Sequence, residues 1–267
     1  MILLSALLPW VMLWAQKGDE APEGNTKATG MVLLDTYYNH EVDEEGHVCH
    51  YTWEDTSWGG FSEFGERIER AGLRLGTLNT KPTAEGLSRC SAYIIVDPDH
   101  IKDNPQPNYM TASDAKTIKR WVKKGGQLLV FANDHDNCDL QHINILTSLF
   151  GIHLNDTSLL NNAPPTRERP DTGYQLQGCI EGADRLFMRG TCSMQLTGKA
   201  HPLIWTREGD VLMAKAKHGK GEVIVVADPW VYNEYIGHNV LPETMENGLG
   251  AKFLVEFLSG EPTQSTE

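Results

Sequence analysis

The sequence predicts an α/β fold: a three-layer sandwich with a mostly parallel sheet and an antiparallel extension over 174–217. Three observations carry this prediction. Apolar runs of strand length recur at 31–34, 93–96, 127–132 and 222–227, and an aspartate or asparagine follows each. Stretches with apolar side chains at helical spacing lie between most of them. Strands alternating with helices need crossover connections, which make the strands parallel and cover both faces of the sheet. With 40% hydrophobic and 22% charged residues, the composition is that of a globular chain, too polar for a multi-span membrane protein.

The elements follow in order. The run MVLL at 31–34 reads as a buried strand ending at Asp35. Residues 61–71 place Phe61, Phe64, Ile68 and Ala71 on one helical face, and Gly72 supplies a stop. A second strand fits 73–78, and a short helical turn fits 83–87 after Pro82. The strand at 93–96 is closed by Asp97 and Pro98. Over 111–124 Thr111 and Asp114 have capping spacing, Ile118, Trp121 and Val122 form the apolar stripe, and Gly125-Gly126 ends the helix. A strand at 127–132 precedes a helix over 138–150 whose buried face holds Leu140, Ile143, Leu146, Leu149 and Phe150. The polar, proline-bearing stretch 155–172 reads as a long loop. Short strands are expected at 174–176, 185–188, 203–205 and 211–215, then the buried strand 222–227 ending at Asp228, and a helix over 244–258.

Before this domain, residues 2–15 (ILLSALLPWVMLWA) form an apolar run too short for a spanning helix and suited to the core of a signal peptide. The expected organisation is therefore a signal peptide at 1–16, a linker at 17–29, one α/β domain over 30–260 and a tail at 261–267. Periplasmic or secreted localisation follows, with no membrane association after cleavage. Export would permit disulfides, and Cys179 with Cys192, flanking a hairpin-like segment, form the natural pair. No CxxC spacing marks a zinc site. An excess of 36 acidic over 23 basic residues repels phosphate, which excludes nucleic acid as a partner.

Ligands of open parallel sheets bind beyond the carboxyl ends of the strands. Here those ends are rich in carboxylates, amides, imidazoles and aromatic rings. The first carries Asp35 and His40, continuing through His50, Trp53 and Asp55; the third carries Asn133, Asp134, His135 and Asn137; the last carries Asp228, Trp230 and Asn233. Asp97 and Asp99 end a fourth strand. Asp and Asn side chains bind sugar hydroxyls, and Trp or Tyr faces stack on the C–H surface of a pyranose. Capping accounts for some of these residues, Asp136 and Asn137 among them. It does not account for Trp53, Trp58, Trp230, Tyr232 and Tyr235 in loops.

Three chemistries compete. A glutamine-amidotransferase nucleophile needs a cysteine at a strand-to-helix elbow; here the elbow holds Asn133 and Asp134, and there is no GxSxG or GxCxG. Metal-assisted hydrolysis by His50, His135, Asp136 and His142 lacks HxH or HExxH spacing. A carboxylate pair drawn from Asp35, Glu54, Asp55, Asp134 and Asp228 could act as acid and base on a glycosidic bond. The expected catalytic residues are Asp35, Asp134, His135 and Asp228. The expected substrate-binding residues are His40, His50, Trp53, Asp55, Asn133, Asn137, Trp230 and Asn233. No metal or cofactor is expected.

The strings LLDTYYNHE (33–41), HYTWEDTSWGGFSEFG (50–65), YIIVDPD (93–99), PNYMTASDA (107–115) and FANDHDN (131–137) resemble a domain associated with bacterial unsaturated rhamnogalacturonyl hydrolases. GEVIVVADPW (221–230) resembles it more loosely. The resemblance implies a class I glutamine-amidotransferase-like sandwich without the catalytic cysteine, related to flavodoxin-like sheets. It also implies an exported protein of pectin breakdown that binds, and as an enzyme hydrolyses, an acidic oligosaccharide. The glycuronyl hydrolase activity belongs to a helical barrel, for which this chain has too few helices. The alternatives are a non-catalytic sugar-binding module beside a partner glycosidase, and a metal-dependent sugar deacetylase or esterase.

Overall fold

A computed structural model describes residues 30–42, 46, 48, 50–162, 176–178, 180, 185–237 and 240–260. The expected signal peptide, linker, tail and strand start at 174–175 lie outside them, as do Cys49 and Cys179. In chain order the elements are β1 (Met31–Asp35), α1 (Ser62–Arg70), β2 (Arg74–Leu78), α2 (Ala84–Leu87), β3 (Ala92–Val96), α3 (Ala112–Lys123), β4 (Gln127–Phe131) and α4 (Leu140–Thr147). There follow β5 (Ile152–Leu154), β6 (Gln177–Gly178), β7 (Met194–Leu196), β8 (His201–Trp205), β9 (Val211–His218), β10 (Gly221–Val226), α5 (Asn233–Ile236) and α6 (Asn247–Ser259).

Among the described residues all ten strands join one sheet in the order β2-β1-β3-β4-β10-β9-β7-β5, with β8 also on β9 and β6 on β8. The five strands β2-β1-β3-β4-β10 are parallel, in the 2-1-3-4-5 order of flavodoxin-like sheets. Beyond β10 every pairing is antiparallel. Both parts of the expected fold class are therefore present. Helices α1, α5 and α6 pack together, as do α2, α3 and α4, giving the two outer layers.

Local signals explain the boundaries. At α3, Thr111 Oγ1 accepts from the Asp114 N–H at 3.3 Å while Asp114 Oδ2 accepts from the Thr111 N–H, a complete capping box. Strands β3, β4 and β10 bury nearly every side chain, as central strands covered on both faces must. Two expectations are corrected. The 138–150 helix begins at Leu140 behind the Asp139 cap and tightens into a 3-10 turn at Ser148–Phe150, which rotates Leu149 into solvent. Residues 185–188 form no strand, although Leu186, Phe187 and Met188 are buried. Their backbone is answered by a side chain instead: Asn247 Oδ1 accepts from the Phe187 N–H at 2.8 Å, and Asn247 Nδ2 donates to the Phe187 carbonyl at 3.0 Å. The expected Cys179–Cys192 pairing lies outside the described residues through Cys179; Cys192 itself is a free, buried thiol, like Cys138. Burial pushes both thiols well above the ordinary cysteine range.

Candidate functional site

Strand register decides which strand-end residues meet. Val96 pairs with Phe131, and Phe131 with Val226, so Asp97, Ala132 and Ala227 stand level at the carboxyl edge, with Asn133 and Asp228 one residue beyond. Leu34 pairs with Ile94, which leaves Asp35 level with Ile95, two residues or about 7 Å deeper. Above this edge opens a cleft of about 510 Å³ whose lining includes Asp97, Asn133, Asp134, Asn137, Asp228, His50, Tyr51 and Tyr232. Glu41, Asp103, Glu234 and the guanidinium-bearing Arg189 complete its charged groups among the described residues.

Asp97 lies at the centre. It is 2% exposed. Its Oδ2 accepts from the Tyr51 hydroxyl at 2.6 Å and from Asn133 Nδ2 at 3.0 Å, and Tyr232 donates in turn to the Tyr51 oxygen at 3.1 Å. Its Oδ1 is buried with no hydrogen-bond partner among the described residues. Burial pushes the Asp97 carboxyl up to about 7, against the lowering effect of the Tyr51 and Asn133 hydrogen bonds and with help from Asp99 and Asp103. Asp228 is raised well above the carboxylate range by burial, with Asp97 and Asp134 adding to the shift; its Oδ2 accepts from the Arg189 N–H at 2.9 Å. Glu41 is pushed up to about 7 by burial and by Asp97, Asp99 and Asp103.

The backbone around the cleft is strained. Asp97, His50 and Tyr51 have φ of 38°, 61° and 47°, in the left-handed region that costs a side-chain-bearing residue about 1–3 kcal/mol. Among the described residues only Leu160 joins them in this among non-glycines. The loop carrying His50 and Tyr51 closes on itself through Tyr51 N–H to Gly59 O at 3.4 Å and Phe61 N–H to Thr52 O at 3.2 Å. At Gly60 the closure is so tight that a Cβ would lie 1.9 Å from the Asp55 carbonyl oxygen.

The structure brings Asp134, Asp228, His50, Asn133 and Asn137 to this cleft and places the other expected site residues elsewhere. Asp134 is occupied in building the turn: Oδ1 accepts from the Asp136 N–H and Asn137 Nδ2, and Oδ2 from Ser158 Oγ at 2.5 Å. Asp35 lies beneath the edge, accepting from the Tyr37 and Tyr38 N–H groups and from the Tyr93 hydroxyl. His135 lines a separate cavity of about 450 Å³ with His100, His153 and Asp139, its Nδ1 3.0 Å from Asp156. His40 and Trp53 line a third, of about 440 Å³. His40 is held there 3.0 Å from the Asp99 carboxylate, and Trp53 donates to the Gly76 carbonyl at 3.1 Å.

Asp55 folds its own loop by accepting from the Ser57 N–H at 2.8 Å. Trp230 is wholly buried against Gly250, where a Cβ would lie 2.7 Å from the indole. Asn233 is a clamp. Its Oδ1 accepts from the Glu63 N–H at 2.9 Å, capping α1, whose own Phe61 offers no cap, and its Nδ2 donates to the Asp55 and Ser57 carbonyls.

Sequence reasoning chose none of Asp97, Tyr51, Tyr232 or Arg189 as site residues, though Asp97 directly follows a buried strand as Asp228 nearly does. A larger groove of about 800 Å³ lies between α1 and α6, away from the strand ends and from every perturbed carboxyl group. Among the described residues no three His, Cys, Asp or Glu side chains are grouped to hold a metal ion, and no helix is long and apolar enough to cross a membrane.

No family model matches the chain, and no curated protein matches it. Among solved structures, the N-terminal domain of mmIFT52 is similar over 88% of this chain and all of its own, at 16% identity and a TM-score of 0.67. The cytoplasmic protein STM1381 of Salmonella typhimurium LT2 covers 86% of this chain and 98% of its own at 14% identity, with a TM-score of 0.50. A glutamine amidotransferase of Thermotoga maritima is also among the neighbours, over 87% of this chain and 99% of its own, at 12% identity and a TM-score of 0.47. At such identities the likeness is one of fold.

Proposed function

We propose that the cleft at the carboxyl edge binds a hydroxyl-rich ligand of the oligosaccharide class. The observation that carries this reading is the convergence of three strand ends on one polar cavity, with buried Asp97 and Asp228 beside the amides of Asn133 and Asn137. Carboxyl and amide groups pair with vicinal hydroxyls, and the phenol faces of Tyr51 and Tyr232 offer the apolar side a sugar ring needs. Next to Gly59, which lines the cleft, Trp58 is 66% exposed, and its backbone carbonyl accepts from the N–H of the lining residue Glu234 at 3.2 Å. The Trp58 indole, rather than Trp53 or Trp230, is the stacking platform. The pectin setting and export rest on the sequence resemblance and the apolar run at 2–15.

The test is a panel of neutral, amino and uronic oligosaccharides followed by NMR or calorimetry on the full chain. Saturable binding that Asp228→Asn abolishes is the expected result; no binding by any sugar would overturn the reading. A hydrolytic role is favoured by one observation, that Asp97 is held near 7, where a general acid works best. Release of new reducing ends, falling as pH rises through about 7, is the outcome that role requires.

A further inference from the structure

We propose that the cleft selects a sugar carrying a protonated amine, an inference that rests on the oligosaccharide reading and names its class of sugar. Two independent observations support it. The first is charge: six carboxyl groups line the cleft against the one guanidinium of Arg189 among the described residues. The second is the buried Oδ1 of Asp97, which has no hydrogen-bond partner among the described residues, while Oδ2 is taken up by Tyr51 and Asn133. A carboxylate oxygen left without a donor out of contact with water is costly.

The three chemical kinds of sugar answer these observations differently. A neutral hydroxyl supplies a donor and leaves the charge uncompensated. A uronate brings a further carboxylate into a cavity where burial and neighbouring acids already push Asp97, Asp228 and Glu41 toward their neutral forms, so its own charge is disfavoured in the same way. An ammonium group brings three donors and a positive charge together. The acidic oligosaccharide expected from the sequence resemblance is therefore the ligand this lining suits least. Burial pushes the Asp97 carboxyl up to about 7 and raises that of Asp228, with Asp97 adding to the Asp228 shift, so an arriving ammonium favours their ionised forms and sends protons to solvent.

Calorimetric titration of the full chain near neutral pH, with four probes, tests the proposal. The probes are a β-1,4-linked glucosamine disaccharide, its N-acetylated counterpart, a galacturonate disaccharide and spermidine. The glucosamine disaccharide is expected to bind about tenfold or more tighter than the N-acetylated one, a gap of about 1.4 kcal/mol that narrows as salt is added. Buffers of different ionisation enthalpy are expected to reveal proton release with the amine alone. Asp97→Asn and Asp228→Asn, which remove groups that hold the ligand itself, abolish binding of either sugar. Asp103→Asn and Glu234→Gln, at less buried positions where folding is not at risk, each reduce the preference several-fold. Equal affinity for amine and N-acetyl sugar, or tightest binding of the galacturonate, overturns the proposal and leaves the oligosaccharide reading standing. Spermidine bound while no sugar binds overturns that reading itself.

Discussion

Asp35 and Asp97 end adjacent parallel strands, are equally buried, and are both pushed up to about 7 by burial. Their surroundings make them different groups. Asp35 is saturated by two backbone N–H groups and the Tyr93 hydroxyl, and its level in the register keeps it below the edge. Asp97 stands two residues higher, carries positive φ, and keeps one oxygen without a donor among the described residues. Burial and a displaced pKa therefore do not separate a scaffold carboxylate from a ligand-facing one. Hydrogen-bond saturation and register do.

The largest expected effect breaks the scaffold member. Asp35→Ala orphans two N–H groups and a phenol in the core, at about 1–3 kcal/mol for each group left without a partner, and so is expected to cost at least 3 kcal/mol. Asp97→Asn keeps an acceptor for Tyr51 and removes a carboxylate that resists ionisation, so above pH 7 it is expected to leave stability unchanged or raise it while abolishing ligand binding. Urea unfolding at pH 8 checks both; equal destabilisation by the two would dissolve the distinction.

The pH dependence sharpens the same pair. In Asp35, Asp97, Asp228 and Glu41 the folded-state pKa is raised, so the native chain binds more protons than the unfolded one. Their contribution is full below the unfolded carboxyl value of about 4 and is lost as pH climbs to about 7 and beyond. His218 opposes this only below about 6.5, because burial, with Lys119 and Lys123, lowers its pKa. The melting temperature is expected to fall by several degrees between pH 5 and 8, less steeply in Asp97→Asn. A melting temperature rising over that interval would contradict the assignment.

The parallel half was legible because its strands, buried on both faces, read as unbroken apolar runs, and α1 and α3 show an apolar stripe. The antiparallel half was less so. Strands β5 and β7 are three residues each, too short for a pattern, and the apolar run at 185–188 is buried by docking on Asn247 rather than by pairing. At the site, residue type marked the strand ends and register sorted them. Trp53 and Trp230 entered the core because Gly65 and Gly250 leave room for them, a long-range fit no local spacing announces.

Asn233 tests whether a predicted ligand contact is structural. Asn233→Ala removes the remote cap of α1 and the tie to the Asp55 and Ser57 carbonyls, and is expected to cost about 2 kcal/mol. Affinity should recover when low temperature stabilises the loop, as a positioning role requires and a direct contact does not.

The smallest effect on stability and the clearest on binding belong together at Trp58. With 66% of its surface in solvent, its side chain contributes little to folding, so Trp58→Ala is expected to change unfolding free energy by no more than about 0.5 kcal/mol. Its carbonyl bond to the Glu234 N–H is made by the backbone and survives the substitution. Loss of the indole removes one ring face from an extended ligand, lowering affinity for an oligosaccharide about tenfold while leaving a monosaccharide, held only in the cleft, unaffected. Trp58→Phe restores part of the difference. Equal loss for monosaccharide and oligosaccharide would place the indole inside the binding cleft, and no loss for either would make Trp58 an ordinary exposed side chain.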